Sequence, residues 1–390
     1  MMDVVVIGGG LAGSTCATLL AKAGRAVTVV EPAEFPRDKL CGEFLSPEAA
    51  LTLRRLGVLN PLLTLRPPRL SHGWFTHPGR ACARVPLPAS GLGVSRWTLD
   101  ECLHRAAVRA GVQWVKGEAQ DVQRYTNGNR ERVEVHVATQ DGRQKIQAAI
   151  GIGAYGRHGR LDRVLGRKRS PKRYVGLKRH HIGCPEDGAR GSVEIHLFDG
   201  GYCGVNAVEG DRVNVCALVE RRWLSACGQK DWFGVKKSLM ASNPFLAERL
   251  DAHEADPDRS FLTVAGIDFA RMDPVLGPLL MVGDGASMIA PLVGDGQAMA
   301  LRAAEALTEL ILENRSDLAE AWAQRYAHAY RGRLRFARQL QTALLHPWTS
   351  QWVVRTSGMV PALPAWLARQ TRETITHREP HPFELEGTHR

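Results

Sequence analysis

Gly8, Gly10 and Gly13 stand at the G-x-G-x-x-G spacing within VVVIGGGLAGSTCATLLAKAGRAVTVVEP, and Glu31 closes the stretch. The chemistry this allows is dinucleotide binding. The first glycine permits a tight turn, the second lets a pyrophosphate reach the backbone, and the third lets a helix pack closely on a strand. A helix opening there offers free N–H groups and a partial charge of about +0.5 to the phosphates. An acid at Glu31 would accept a hydrogen bond from a ribose hydroxyl. Strand, helix and strand must hold these groups. Residues 4–7 form an apolar run suited to a buried parallel strand, residues 11–23 carry one charge (Lys22) and stop at Gly24, and residues 26–30 form a second apolar run. The stretch alone does not separate NAD from FAD.

A second glycine-rich turn lies far along the chain, in VGDGASMIAPLVGDG. It follows an apolar strand at 279–282 and opens a helix over 296–312, where Arg302, Glu305 and Glu309 make one charged stripe. A simple NAD dehydrogenase needs no such second turn. Between the two turns the pattern predicts a helix with Ser46 as N-cap, Pro47 as first residue and Gly57 as stop. A second helix carries a Thr98–Glu101 capping box and ends at Gly111. A third parallel strand follows at 112–116, then strands with turns at Asn127-Gly128 and Asp141-Gly142. Residues 173–220 are β-rich, and 228–256 read as helical or mixed. Leu318, Trp322, Tyr326, Tyr330 and Leu334, spaced by four, mark a long amphipathic helix, and the chain past Arg372 is polar.

The 390 residues allow two or three domains, and the formal charge is +11. Eight Lys or Arg and one acid fall in residues 157–173, read as a solvated basic face or as a lure for an anionic partner. There is no nucleic-acid motif. No apolar run approaches the roughly 20 residues of a membrane span, and the apolar start lacks the basic flank and cleavage site of a signal peptide. Eight scattered cysteines fit reduced thiols, no zinc pattern and a cytoplasmic location. Trp348, Trp352 and Trp366 are read as core residues in preference to a lipophilic tunnel or a peripheral membrane contact.

Four landmarks in order make the chain resemble the flavoprotein superfamily built like p-hydroxybenzoate hydroxylase, which includes geranylgeranyl reductases and flavin-dependent halogenases. They are the glycine motif with Glu31, the loop FPRDKLCGEFLSP, Arg96 in SRWTLDECL, and the Gly283-Asp284 turn. The resemblance implies FAD as cofactor, with NAD(P)H as a candidate electron donor. It places Gly8, Gly10, Leu11, Ala12, Gly13 and Glu31 at the ADP half, with Ala119 also in contact with the cofactor. Arg37, Cys41 and Gly42 fall in the loop beside the flavin, Arg96 contacts FAD ahead of its helix, Asp284 meets a ribityl hydroxyl, and Pro291, Gly294 and Gly296 lie against the ring. The family's GADG segment reads Gly153-Ala154-Tyr155-Gly156 here, so a tyrosine replaces an aspartate associated with FAD and pyridine nucleotide.

The implied fold is α/β: a Rossmann-like FAD-binding domain with an inserted β-rich substrate domain and a C-terminal helical segment. The expected division is 1–75, 97–165 and 262–315 for FAD, 76–96 and 166–261 for substrate, and 316–390 for the C-terminal helices and tail. The first reading of the reaction is monooxygenation of a hydrophobic or aromatic metabolite of secondary metabolism, free or carrier-bound. The alternative is a double-bond reductase of the geranylgeranyl reductase type. A halogenase is disfavoured, because no lysine lies between Lys39 and Lys116 and no W-x-W-x-I-P segment occurs; a flavin-binding scaffold without turnover is the non-enzymatic alternative. Cys41, Tyr202 and Cys203 are the candidate catalytic residues, and no metal site is expected. Lys178, His180, His181 and His196 are read as sheet-surface residues in preference to substrate contacts, and none as a general base.

Overall fold

The computed structural model describes residues 2–79, 81–128, 130–157, 160–167, 173–183, 191–228, 230–269, 272–359 and 383. Two sheets organise the chain. In the first, strands Leu279–Met281, Gly142–Gly153, Met2–Ile7, Val27–Glu31 and Gln113–Lys116 lie side by side and parallel. Their apolar runs are buried because helices cover the sheet: Val5, Val6 and Val29 have no exposed surface. The Leu11–Lys22 helix packs between the Arg96–Arg109 and Gly296–Leu312 helices. The two turn signals become a three-stranded antiparallel extension, Glu118–Asn127, Arg130–Thr139 and Gly142–Gly153.

The second sheet runs in the order Glu254–Ala255, Tyr174–Ile182, Arg212–Glu220, Gly201–Val208, Ser192–Phe198, Arg69–Thr76, Cys82–Gly93 and Phe44–Leu45, with Leu262–Ile267 also on Tyr174–Ile182. Three of these strands (Arg69–Thr76, Phe44–Leu45 and Leu262–Ile267) lie, wholly or nearly so, inside the sequence ranges assigned to the nucleotide domain. Strand pairing is decided by distant partners, which chain order does not reveal. One face of this sheet carries Val175, Leu177, Cys203, Val205 and Val215, sealed by helices Trp232–Ser242 and Pro244–Asp251. The other face carries Tyr174, Ile195, Tyr202 and Leu218 and is roofed by Leu344 and Val354 of the Leu318–Leu345 and Pro347–Met359 helices.

Local details differ from the sequence pattern. Ser46 makes no capping bond; its hydroxyl donates to Asp295 Oδ1 at 3.2 Å. Ser95, not Thr98, caps its helix, accepting from the Thr98 N–H at 3.1 Å. Glu305 is buried against the Thr52 hydroxyl (2.8 Å) and Arg55, so the 302–309 stripe does not all face water. The long helix does bury Trp322, Tyr326, Tyr330 and Leu334. The seven described cysteines form no disulfide. Among the described residues no helix is long and apolar enough to cross a membrane. Trp366 and the polar tail, Phe383 excepted, lie outside the described residues.

Candidate active site

The distant glycine turns meet. A Cβ on Gly283 would lie 3.2 Å from the Ala12 Cβ, at the amino end of the first helix. That close approach is why Gly283, at φ 60°, is a glycine. Gly8 (φ 103°) and Gly13 are needed for packing: a Cβ on Gly13 would sit 1.9 Å from the Gly8 carbonyl oxygen. Gly10 differs. Its φ of −74° is ordinary, and a Cβ there would meet only the Lys39 ammonium at 3.7 Å. The space over Gly10 is therefore left for something other than protein.

That space is one end of a cavity of about 700 Å³. Gly10, Leu11, Ala12, Arg96, Asp284, Pro291, Gly294 and Gly296 line it, together with Cys41 and Gly42. A second cavity of about 170 Å³ lies beyond Gly8, bounded by Glu31, Ala119, Ala154 and Lys39. Lys39 faces both. Burial, with Arg37 and Arg96 nearby, pushes its pKa down to about 8. Arg157 stands 3.6 Å from the Asp284 carboxylate, with its buried Nη1 left without a partner. Burial pulls the Arg96 pKa down, but the paired Asp100 carboxylate (2.7 and 3.0 Å) outweighs it and holds the guanidinium above its usual range. Two cations without full pairing and an open helix amino terminus suit a pyrophosphate, so this lining fits FAD.

Glu31 is more occupied than its motif suggests. Its carboxylate accepts from Gly9 N–H (2.8 Å), Ala33 N–H (3.0 Å) and both Arg37 Nη atoms (2.7 and 3.0 Å). Burial raises its pKa, but Arg37 outweighs burial and the carboxyl stays below its usual range. Arg37 thus sits on Glu31 and does not line the main cavity. Tyr155, the departure from GADG, donates its hydroxyl to Asp162 at 3.0 Å. Arg167 grips the same Asp162 (2.8 Å) and the Gly285 carbonyl (2.7 Å), tying this segment to the distant turn. An aspartate at 155 would bring a second negative charge near Asp162, so a neutral hydroxyl suits this network.

The loop FPRDKLCGEFLSP is clamped to the second sheet by a residue that sequence reasoning missed. Glu43, at φ 55° and fully buried, accepts from Lys178 Nζ (2.5 Å), His180 Nε2 (2.7 Å) and the Arg96 N–H (2.7 Å). Burial would raise its pKa, but Lys178 and His180 more than reverse this and hold it at about 2. Lys178 also donates to the Lys39 carbonyl at 3.0 Å, and Gly176 leaves room for Leu40, which a Cβ would meet at 2.1 Å. Asp38, Glu43 and His180 cluster tightly enough to bracket a metal ion. Lys178 and Arg259 already supply cations there, so the cluster reads as an ion-pair network.

Lys178, His180, His181 and His196 are therefore not surface residues; each is at most 2% exposed. His196 bridges Thr76 (2.9 Å) and Glu194 (3.0 Å) on the sheet's far face. His181 bonds the His253 carbonyl, and burial pushes its pKa down to about 4. Alternation also splits the candidate pair Tyr202 and Cys203. Tyr202 lines the cavity beside Gly204 and Asn206, whereas Cys203 points into the opposite core. Cys216, across from Gly204, lines the cavity in its place. Burial pushes the Cys216 thiol up to about 12 and the Tyr202 hydroxyl well above its usual value, so both stay protonated. Cys41 lines the cavity and takes a hydrogen bond from Gln297 Nε2 at 3.1 Å.

The chain is similar to known proteins along most of its length. Residues 1–178 match the family described as FAD binding domain. The menaquinone reductase of Mycolicibacterium smegmatis is 30% identical over 368 residues, covering 88% of this chain and 85% of that protein. Digeranylgeranylglycerophospholipid reductase 2 of Methanopyrus kandleri is 28% identical, covering 75% and 72%. A flavoprotein/dehydrogenase from Cytophaga hutchinsonii superposes with a TM-score of 0.78 at 18% identity, covering 95% and 92%, a likeness of fold. With two glycine turns meeting over an open helix terminus and a relative matched along nearly the whole chain, this protein belongs to the p-hydroxybenzoate hydroxylase-like flavoproteins and is an FAD-dependent oxidoreductase.

Proposed function

We propose that this oxidoreductase reduces a carbon–carbon double bond in a lipophilic, isoprenoid-like substrate. The observation that carries the reading is the cavity itself, which runs without a break from Gly10 and Asp284 onto the face of the second sheet. There the walls are Phe75, Val85, Ile195, Leu218, Ile267 and Leu344, while none of the charged lining residues (Asp38, Lys39, Glu43, Arg96, Arg157 and Asp284) belongs to a strand of the second sheet. Such a wall gains roughly 25 cal/mol per Å² of apolar substrate surface it covers and excludes water. The two reductases matched over most of their length, both named for isoprenoid substrates, favour reduction over the monooxygenation placed first from sequence.

FAD bound here would supply two electrons to a double bond or to dioxygen. In this reading the helix terminus, with Gly10, Leu11, Ala12, Lys39 and Arg157, would hold the pyrophosphate. Ala119 would serve the adenine end, Asp284 the ribityl chain, and Cys41, Gly42, Pro291, Gly294 and Gly296 the ring. The first sheet serves as the cofactor domain and the second as the substrate domain. The chain supplies hydrogen-bond donors as well as a dry wall: Tyr202 and Cys216, both kept protonated by burial, face the substrate end.

Monooxygenation remains the second reading, favoured by the same dry wall, which would protect an oxygen-derived oxidant from water. Product mass decides: two hydrogens gained supports reduction, one oxygen gained supports the second reading. Purified protein should be yellow, and anaerobic reduction with NADH and NADPH in turn identifies the donor. Colourless protein that takes up no FAD would end the proposal.

A further inference from the structure

The helix Pro347–Met359 has two unlike faces. Val353 and Val354 line the cavity. Trp348 and Trp352 project outward, 80% and 71% exposed, which overturns their reading as core residues. At about 100° per residue, Arg355 falls on the same outward face and is exposed. On the preceding helix, Arg331, Arg335 and Arg338 repeat at i, i+4 and i+7 and are all exposed. Residues 321–359 contain six arginines and no aspartate or glutamate. Two of the six, Arg325 and Arg333, pair with Glu309 and Asp295 of the neighbouring segment. The other four belong to the exposed surface. Over residues 321–359 the two helices that roof the apolar cavity thus carry four exposed arginines, two solvent-facing indoles and no carboxylate of their own.

We propose that these two helices dock on an anionic lipid bilayer, so that a lipophilic substrate passes from the membrane to the cavity behind Val353 and Val354. The proposal rests on the lipophilic-substrate reading above. Arginine alone would suit an acidic protein as well. The paired indoles on the adjoining helix favour a bilayer, where an amphipathic ring and a snorkelling guanidinium both find the headgroup region favourable. Each basic residue near an anionic surface adds to the attraction, and salt screens it.

The test is co-sedimentation of the full flavin-loaded protein with vesicles of phosphatidylcholine alone and with phosphatidylglycerol added. Wild type should partition onto the anionic vesicles and be released as salt rises from about 0.1 M to about 0.5 M. The triple variant R331Q/R335Q/R338Q should lose on the order of a hundredfold in partition, and W348S/W352S should lose it even at low salt. Both variants should keep the wild-type flavin content and melting temperature, because the altered side chains are exposed. No partition of wild type, or partition indifferent to both variants, overturns the proposal. So does binding to polyglutamate that matches the vesicles and ignores the tryptophan pair, since that marks an acidic protein partner. It also fails if the emission lost in W348S/W352S is shielded from iodide without lipid, which would mean that residues 360–390 cover the indoles. Partition is read without turnover. A wrong substrate reading would show itself separately, as no product from detergent-solubilised isoprenoids.

Discussion

Gly10→Ala offers the sharpest separation of fold from cofactor. At φ −74° and ψ −166° an alanine is unstrained, and its Cβ would meet only Lys39 Nζ at 3.7 Å. Removing glycine's extra freedom from the unfolded chain should stabilise the apoprotein by about 0.4–1 kcal/mol. The same methyl would stand where the pyrophosphate must approach, an overpacking cost of about 1–3 kcal/mol, or roughly 5- to 150-fold in FAD affinity. Gly13→Ala makes the contrast. Its Cβ would lie 1.9 Å from the Gly8 carbonyl oxygen, so helix and strand must separate, at a cost of about 3 kcal/mol or more. The assay is a thermal melt of each apoprotein with an FAD titration followed by flavin fluorescence. We expect Gly10→Ala to melt at or slightly above wild type and bind FAD weakly, and Gly13→Ala to melt lower. Wild-type affinity in a well-folded Gly10→Ala protein would refute the placement of the phosphates.

Other outcomes follow from the same geometry. Asp284→Ala should weaken FAD by about 1.5–3 kcal/mol through a lost charged hydrogen bond, read by the same titration, with little change in the apoprotein melt. Glu43→Gln leaves Lys178 buried without its carboxylate and should cost about 3–5 kcal/mol in a denaturant melt, far more than an exposed ion pair. The Glu43 carboxyl is held at about 2, below its ordinary value of 4.5, so its stabilisation is complete above about pH 4.5 and fades as pH falls toward 2. Wild-type melts should lose stability across that window more steeply than Glu43→Gln melts. Tyr202→Phe should slow turnover while leaving flavin content intact, whereas Cys203→Ala should leave turnover intact. Equal effects on turnover would contradict their placement on opposite faces.

The strand, helix and strand around Gly8–Gly13 were legible because their signals are local: an apolar run, three glycines at fixed spacing and a helix stop at Gly24. The Gly283-Asp284 turn was legible for the same reason, and resemblance joined the two. Tyr202 and Cys203 were paired as candidates although strand alternation puts adjacent residues on opposite faces; the period-2 rule could have separated them without coordinates. Nothing in the sequence marked Glu43, since its importance comes from Lys178 and His180, which lie well over a hundred residues away and meet it only through folding. Cys216 entered the cavity through its register with Gly204, a long-range pairing of the same kind.

Local sequence by itself thus determined the nucleotide-binding turn, the class of cofactor through its family landmarks, and the amphipathic roof helix. Only the tertiary structure decided which strands joined the second sheet, which acid clamps the loop after Phe35 to it, and that Trp348 and Trp352 face outward. The physical reason is the range of the interactions. Helix stops, turns and phosphate-binding glycines act within a few residues, whereas sheet register, buried ion pairs and the burial of an amphipathic side chain depend on whatever distant segment packs against it.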